Sequence, residues 1–135
     1  MSSEGDRADE TVVECVGGRQ LRFKSDWDVG IGGGLWTNGL RCCEHFRQHA
    51  ASYCAWLDGK TVLELGAGTG LVGLYLAALL AHGGAAPAAL LVTDRADHLA
   101  IAREVGRSVG REAAVCARFS SSLSDTHHHH QCVCV

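Results

Sequence analysis

The sequence has no excess of positive charge. Its 12 lysines and arginines stand against 15 aspartates and glutamates, which gives a formal net charge of −3 over 135 residues. A protein that binds nucleic acid usually concentrates basic residues so that they neutralise phosphates. The charge balance therefore gives no reason to expect a nucleic-acid partner.

From the pattern of the sequence we also expect no secretory leader, and we find no hydrophobic run long enough to cross a membrane. Leu71–Ala81 is apolar but would form only about three helical turns, whereas a membrane span needs roughly 20 residues. The start, MSSEGDRADE, is polar and acidic, unlike a signal peptide. Seven irregularly spaced cysteines fit reduced thiols better than a disulfide framework. We therefore expect a cytoplasmic protein without a membrane partner, and the 47% hydrophobic content predicts a single soluble domain.

The most informative segment is Val62–Gly73, which reads VLELGAGTGLVG. An apolar run suited to a buried parallel strand leads into three alternating glycines, Gly66, Gly68 and Gly70, and then into an apolar segment of helical length. Glycine lets the backbone take a positive φ and approach a ligand without a Cβ clash. The pattern predicts a strand, a glycine-rich turn and a helix that hold a nucleotide-like cofactor beyond the end of the strand. A plain turn would not need three glycines.

Two classes of cofactor could use such a loop. The letters from Gly68 to Gly73 match the G-x-G-x-x-G pattern of dinucleotide sites. In that pattern the first glycine follows the strand directly, and counting from Gly66 puts Leu71 where the third glycine should be. Asp94 also lies 28 positions after Gly66, against roughly 20 in the dinucleotide pattern. The register disfavours a dinucleotide-binding oxidoreductase, which stays the first alternative.

Together with LLVTD at Leu90–Asp94, the glycine segment resembles motif I and the following acidic motif of class I (seven-β-strand) S-adenosylmethionine-dependent methyltransferases. Upstream, GGGLWTNGL at Gly32–Leu40 resembles the G-x-x-[VL]-W entry of methyltransferase family 16, small enzymes that methylate lysines of other proteins. VVECVGGRQLRF at Val12–Phe23 resembles the amino-terminal β-hairpin of that family. The resemblance implies S-adenosylmethionine as the cofactor and an unidentified protein as the substrate.

The resemblance also implies roles for single residues. Gly66, Gly68 and Gly70 would line the methionine and ribose parts of the cofactor, and Asp94 would accept hydrogen bonds from the ribose hydroxyls. Asp94 could instead cap the helix that follows, because aspartate is favoured at that position.

Glu64 and Trp36 complete the candidate cofactor-binding residues. The resemblance implies that Glu64 helps to hold the amino group of the cofactor, although a charge at a strand end could simply be solvated. It implies that Trp36 borders the cofactor pocket, although tryptophan is more often a core residue. No residue stands out as a catalytic base, since methyl transfer to lysine mainly needs an oriented, deprotonated amine.

The pattern of elements predicts an α/β fold with an incomplete Rossmann-like sheet and an amino-terminal hairpin. In the class I strand order 3-2-1-4-5-7-6, which the resemblance implies, the three predicted strands form one half of the sheet. Strand one would then have an open edge through which the chain could associate with itself. The predicted elements are a hairpin of Val12–Cys15 and Gln20–Phe23, one helix over about Leu40–Leu57, strands at Thr61–Leu65, Leu90–Thr93 and Ala113–Phe119, and helices at about Leu71–His82 and Asp97–Val109.

Residues 120–135 read as a disordered, biased tail, after a disordered start at residues 1–10 and a partial methyltransferase domain at 11–119. His127–His130 and the last cysteines are ligand types for zinc or copper, but neighbouring histidines on an extended chain point apart. His45 and His49, one helical turn apart, lack a third ligand and read as a solvated face. We therefore expect no metal site.

The family's acidic-x-x-aromatic motif, [DE]-x-x-[YF], is missing. None of the 15 aspartates and glutamates has tyrosine or phenylalanine three places later. The sequence thus predicts a truncated lysine methyltransferase domain with little or no activity by itself. A non-catalytic fragment that binds a partner through its open sheet edge is the second alternative.

Overall fold

The computed structural model of the chain describes residues 9–26, 28, 30, 33–98, 100, 102–103, 117–120 and 132–134. In this part of the chain, an antiparallel hairpin, three helices and two adjacent strands of a four-stranded parallel sheet contribute to one hydrophobic core. The last two residues of the predicted disordered start belong to the first strand of the hairpin.

The hairpin consists of β1 (Asp9–Glu14) and β2 (Gln20–Ser25), which pair in antiparallel register. Val16–Gly18 forms a 3-10 turn whose two glycines have φ of 73° and 72°, a conformation that side chains with a Cβ rarely adopt. Exposed and buried residues alternate along β2, so that Leu21 and Phe23 face the core. The predicted hairpin is confirmed, with longer strands.

Two helices stand where the sequence predicted one. α1 spans Thr37–Gln48 and α2 spans Ala50–Leu57, and between them His49 has φ of −116° and ψ of 28°. The hydrogen-bond ladder nevertheless continues, because the His49 N–H donates to the His45 carbonyl and the Tyr53 N–H to the His49 carbonyl, both at 3.1 Å. The break is a local kink without glycine or proline, which is why the periodicity did not reveal it.

The sheet has four parallel strands in the order β5-β4-β3-β6. β3 is paired with β4 along its whole length. The first three strands have the 3-2-1 order that the family resemblance implies, and residues 113–116 of the predicted third strand lie outside the described part. The strands are β3 Thr61–Leu65, β4 Ala89–Thr93, β5 Ala117–Ser120 and β6 Cys132–Cys134.

β6 corrects the prediction that the edge of strand one is open. Cys132–Cys134, assigned from the sequence to a disordered tail, pairs in parallel with Thr61–Leu63. This short apolar segment engages backbone groups that would otherwise form a bare sheet edge. At Thr61–Leu63 the edge of β3 is therefore not open, and the prediction of self-association loses its basis there. Residues 121–131 and 135 of the predicted tail lie outside the described part.

α3 spans Leu71–His82, as predicted, and is the most buried helix that the structure describes. Nine of its 12 residues are buried, because α3 contacts α1 and α2 as well as β4 and β5. A helix covered on several sides needs apolar residues around its whole circumference. The predicted second helix is seen as helical residues 96–98, 100 and 102–103, and its remainder lies outside the described part. None of the described helices has the length and apolar character needed to cross a membrane.

Candidate cofactor site

The glycine loop lies where the strand order of the sheet reverses. The chain runs from β3 outward to β4 and β5 and then returns to the other side of β3 as β6. In open α/β sheets, ligands bind beyond the carboxyl ends of the strands at such a reversal. Residues 66–70 connect β3 to α3 at this point. The topology therefore makes this loop the candidate cofactor site.

All three glycines of the loop need the conformational freedom that the sequence suggested. Gly66, Gly68 and Gly70 have φ of 67°, 57° and 80°, in the left-handed region. Gly70 also begins α3, since its carbonyl accepts the Leu74 N–H at 3.0 Å. A Cβ at Gly70 would lie 3.0 Å from that of Ala102, so close packing adds a second reason for glycine there.

Asp94, the residue after β4, fastens the glycine loop to the segment that follows it. Its Oδ2 accepts the Gly68 N–H at 2.6 Å, and its Oδ1 accepts the Arg95 N–H at 2.6 Å and lies 2.9 Å from His98 Nδ1. Partial burial raises the pKa of the Asp94 carboxyl, but these hydrogen bonds outweigh burial and leave the pKa below its ordinary value. Asp94 is therefore an ionised acceptor at neutral pH.

This geometry differs from ordinary helix capping by Asp94. A capping side chain accepts an N–H two or three residues further along, whereas within the described segment Asp94 accepts that of its neighbour, Arg95. The Gly68 contact joins it instead to a loop 26 positions earlier in the chain. The ribose-binding role of Asp94 stays a prediction.

Glu64 lies beneath the loop and is 5% exposed, so the alternative of a solvated strand-end charge is wrong. Its Oε2 accepts the Gly73 N–H at 3.0 Å, in the first turn of α3, where an anion is favoured. A Cβ at Gly73 would collide with this oxygen, so glycine leaves the space that Glu64 fills. Burial, with a smaller contribution from the charge of Asp94, raises the pKa of Glu64 to about 7 against the opposing Gly73 bond. Its role toward an amino group stays a prediction.

Trp36 is 52% exposed, and the alternative of a core tryptophan is therefore wrong. It precedes α1 directly. A Cβ at Gly39, in the first turn of α1, would lie 3.1 Å from Leu71 Cδ2, so the start of α1 packs against the start of α3. Trp36 therefore lies near the end of α3 that adjoins the glycine loop. Its contact with a cofactor stays a prediction.

A separate cavity of about 350 Å³ lies on the helical layer. It shares no lining residue with the glycine loop, and we place the candidate cofactor site at the loop because three positive-φ glycines and the carboxylates of Asp94 and Glu64 lie together there. Within the part of the chain that the structure describes, no three metal-ligating side chains form a group, and His127–His130 lie outside that part. The residues lining the cavity are His45, His49, Ser52, Tyr53 and Trp56, of which the two histidines are exposed.

Two residues of this site, His98 and Thr93, were not identified from the sequence, and His98 is the first of them. It lies four positions after Asp94 in a segment predicted to be helical, and residues spaced in this way share a helix face. That spacing could have indicated the contact. The second is Thr93, whose hydroxyl donates to the Glu64 carbonyl at 2.6 Å and ties the ends of β3 and β4 together.

Comparison with known proteins identifies the family of the chain. Residues 16–114, more than two thirds of the chain, match the model of a family described as lysine methyltransferase. The chain belongs to this family. The matched range of the lysine methyltransferase model contains the glycine loop, Asp94 and His98.

Two curated relatives carry the name EEF1A lysine methyltransferase 3. The one from Xenopus tropicalis is 33% identical over 67 residues, which are 48% of this chain and 28% of that protein. The one from Mus musculus is 34% identical over 74 residues, which are 53% of this chain and 30% of that protein. The similarity to this lysine methyltransferase family member thus spans less than a third of either relative.

A solved structure of an uncharacterised protein from Burkholderia thailandensis is also similar. It has 25% sequence identity and a TM-score of 0.49, over 63% of this chain and 23% of that one. At this score we rest no argument on the likeness.

Proposed function

We propose that the glycine loop binds S-adenosylmethionine and that the domain serves the transfer of its methyl group to a lysine of another protein. One observation carries the proposal: three positive-φ glycines follow β3 at the reversal of strand order, and Asp94 holds the middle glycine through its N–H. The lysine methyltransferase family match and the names of the two relatives support this choice of cofactor and substrate class.

The described residues fit the chemical groups of this cofactor. When bound, S-adenosylmethionine supplies a methyl group on a positively charged sulfur. The ionised Asp94 gives the loop a negative potential that favours a cation. Asp94 also supplies carboxylate oxygens for hydroxyl groups, and the glycines allow the backbone to approach the ligand closely.

Exposed apolar residues support a macromolecular substrate. Leu65, the last residue of β3, and Trp36 are each 52% exposed, although both are large hydrophobic side chains. Exposed apolar surface beside a ligand site is a common feature of protein-binding surfaces. A lysine delivered by a protein partner would be oriented by contacts of this kind, whereas the backbone of the loop would orient the cofactor.

Calorimetric titration tests the cofactor assignment. We expect S-adenosylmethionine and its demethylated product to bind in the high micromolar range, about −5.5 kcal/mol, and NAD to bind at least about tenfold more weakly. Asp94→Asn should weaken binding of the methyl donor. Asp97→Asn is the matched control, because Asp97 lies close by and pairs with Arg95 on the surface. Tighter binding of NAD than of the methyl donor would reject the proposal.

A further inference from the structure

The Asp94 carboxylate is already engaged by three donors among the described residues. The Gly68 N–H bonds to Oδ2, while the Arg95 N–H and His98 Nδ1 share Oδ1. An ionised carboxylate offers about four acceptor positions, two on each oxygen. Both positions on Oδ1 are therefore filled, and one position is left, on Oδ2.

A ligand with two adjacent hydroxyl groups needs more than this single position. The ribose of an adenosine-containing cofactor presents such a diol, and a carboxylate binds it best with one hydroxyl on each oxygen. One of the three donors must then leave Asp94. Gly68 and Arg95 donate through backbone groups that the fold holds in place, whereas the His98 ring is attached through rotatable bonds. His98 is the donor that can move.

We propose that His98 is a specificity-determining residue of the candidate cofactor site: its ring occupies the position on Asp94 Oδ1 that a vicinal diol needs, and it leaves when the diol binds. The inference rests on the proposed function, because it takes Asp94 as the acceptor for the cofactor's hydroxyls. The side chains of His98 and Asp94 are only 12% and 11% exposed, so water competes weakly for their contact. The second hydroxyl of the ligand must therefore replace the hydrogen bond between the His98 ring and Asp94, which lowers the affinity for the diol.

The opposite role is also physically reasonable and gives the opposite result. If His98 only held the Asp94 carboxylate in place, removal of the ring would loosen the acceptor and weaken the binding of every ligand at the site. If the ring competes with the diol, its removal strengthens binding, and only for ligands that have both hydroxyls. The sign of the change and its dependence on the second hydroxyl separate the two roles.

Titration of the full chain and of His98→Ala with three probes tests the competition. We expect His98→Ala to bind adenosine and S-adenosylhomocysteine about threefold to tenfold more tightly, the effect of one hydrogen bond. Its affinity for 2′-deoxyadenosine should change less than about twofold, because one hydroxyl fits the position already open on Oδ2. His45→Ala is the control, since His45 is exposed on α1 and should leave all three affinities unchanged. Unchanged or weaker adenosine binding by His98→Ala overturns the inference.

A second measurement needs no ligand. For His98 to donate to Asp94 while neutral, its proton must be on Nδ1 rather than on Nε2. Nitrogen-15 NMR of the full chain reads this tautomer. We expect the Nδ1–H form in the full chain and the Nε2–H form in Asp94→Ala. The Nε2–H form in both proteins overturns the inference. If neither His98→Ala nor the full chain binds any probe, the proposed function is rejected, and the tautomer alone decides whether His98 occupies Asp94.

Discussion

Gly68 combines a conformational requirement with a contact to the candidate ligand site. Its φ of 57° is unfavourable for residues with a Cβ, and its N–H is the donor that Asp94 accepts. The positive φ was suggested by the glycine spacing, because alternating glycines after a strand indicate close approach of backbone and ligand. The bond to Asp94 was not predicted from the sequence. A substitution at this position should therefore disturb folding and binding together.

We expect Gly68→Val to abolish detectable binding of S-adenosylmethionine and to lower the free energy of unfolding by about 1 kcal/mol or more, through strain at a left-handed position. Gly59→Val is the matched control. Gly59 has φ of 69°, and a Cβ there would point into open space, but the residue lies in the turn before β3. It should lose comparable stability and keep its affinity. Denaturant unfolding and calorimetry measure both quantities, and unchanged affinity in a folded Gly68→Val would show that the loop is only a turn.

Glu64 makes the stability of the folded chain depend on pH. Its pKa in the folded chain is about 7, above the ordinary 4.5, so the folded state holds this proton more tightly than the unfolded state. The resulting stability is fully present below about pH 4.5 and is lost as the pH rises through about 7. At 1.36 kcal/mol per pH unit, the loss is about 3 kcal/mol. Asp94 affects stability in a different pH range. Because its pKa is lowered in the folded chain, the stability that it contributes is lost only in stronger acid.

Glu64→Gln tests this dependence, since the amide oxygen can still accept the Gly73 N–H but cannot titrate. The free energy of unfolding of this variant should vary much less than that of the unmodified chain between about pH 4.5 and 7.5. Glu44→Gln is the control. Glu44 is an exposed residue whose pKa is lowered to about 2 by hydrogen bonds from Arg47 and Gln48, so its titration falls outside the window. An equal slope in Glu64→Gln and the unmodified chain would contradict the assignment.

Among the helices and strands, the ones that a continuous local sequence pattern specifies could be predicted from the sequence. β3 and α3 have the predicted bounds, because an apolar strand, three glycines and an apolar helix are contiguous signals. The burial of Glu64 follows from the alternation that puts it on the same face as Val62, although the sequence left it open. The kink at His49 could not be predicted, since it has no glycine or proline.

β6 could not be predicted for a different reason. It has only three residues, and its strand conformation depends on pairing with β3, whose partner residues lie about 70 positions earlier in the chain. Short segments of this kind carry little local information, because their stability comes from the neighbouring strand. The histidines before β6 and its own two cysteines gave the segment a biased composition, which favoured a disordered tail.

The pairing of β6 makes a testable difference to self-association. With Cys132–Cys134 in place, we expect the full chain to elute as a monomer. A chain that ends at Gln131 should elute as a dimer or larger species, and those amides of Thr61–Leu63 that face β6 should exchange faster, because the edge of β3 is then uncovered.

The matched control replaces His127–His130 with serine and keeps Cys132–Cys134, so it changes the tail without removing β6. It should behave as the full chain does in size-exclusion chromatography and amide exchange. A shortened chain that stays monomeric with unchanged protection would show that β6 does not protect the edge.

At the scale of the whole molecule, cofactor binding and methyl transfer have different requirements. In the proposed function, binding depends on the glycine loop, Asp94 and Glu64, which lie within residues 64–94 and are connected by hydrogen bonds. Transfer also needs a lysine amine in line with the methyl group at about 3–3.5 Å. In the family resemblance, the acidic-x-x-aromatic motif contributes to this positioning, and no acidic residue of this chain begins such a motif.

We therefore expect the chain to bind S-adenosylmethionine and yet to methylate protein lysines at least about a hundredfold more slowly than its mouse relative, since a misplacement of about 1 Å costs that much. Incorporation of a radiolabelled methyl group into proteins of a cell lysate measures this rate, and Gly68→Val gives the background without cofactor binding. Comparable rates for the chain and the mouse protein, lost in Gly68→Val, would contradict the expectation. Such rates would mean that other residues position the lysine amine. Trp36 and Leu65 would be the first residues to substitute, because their exposed side chains combine a large apolar surface with a location near the loop.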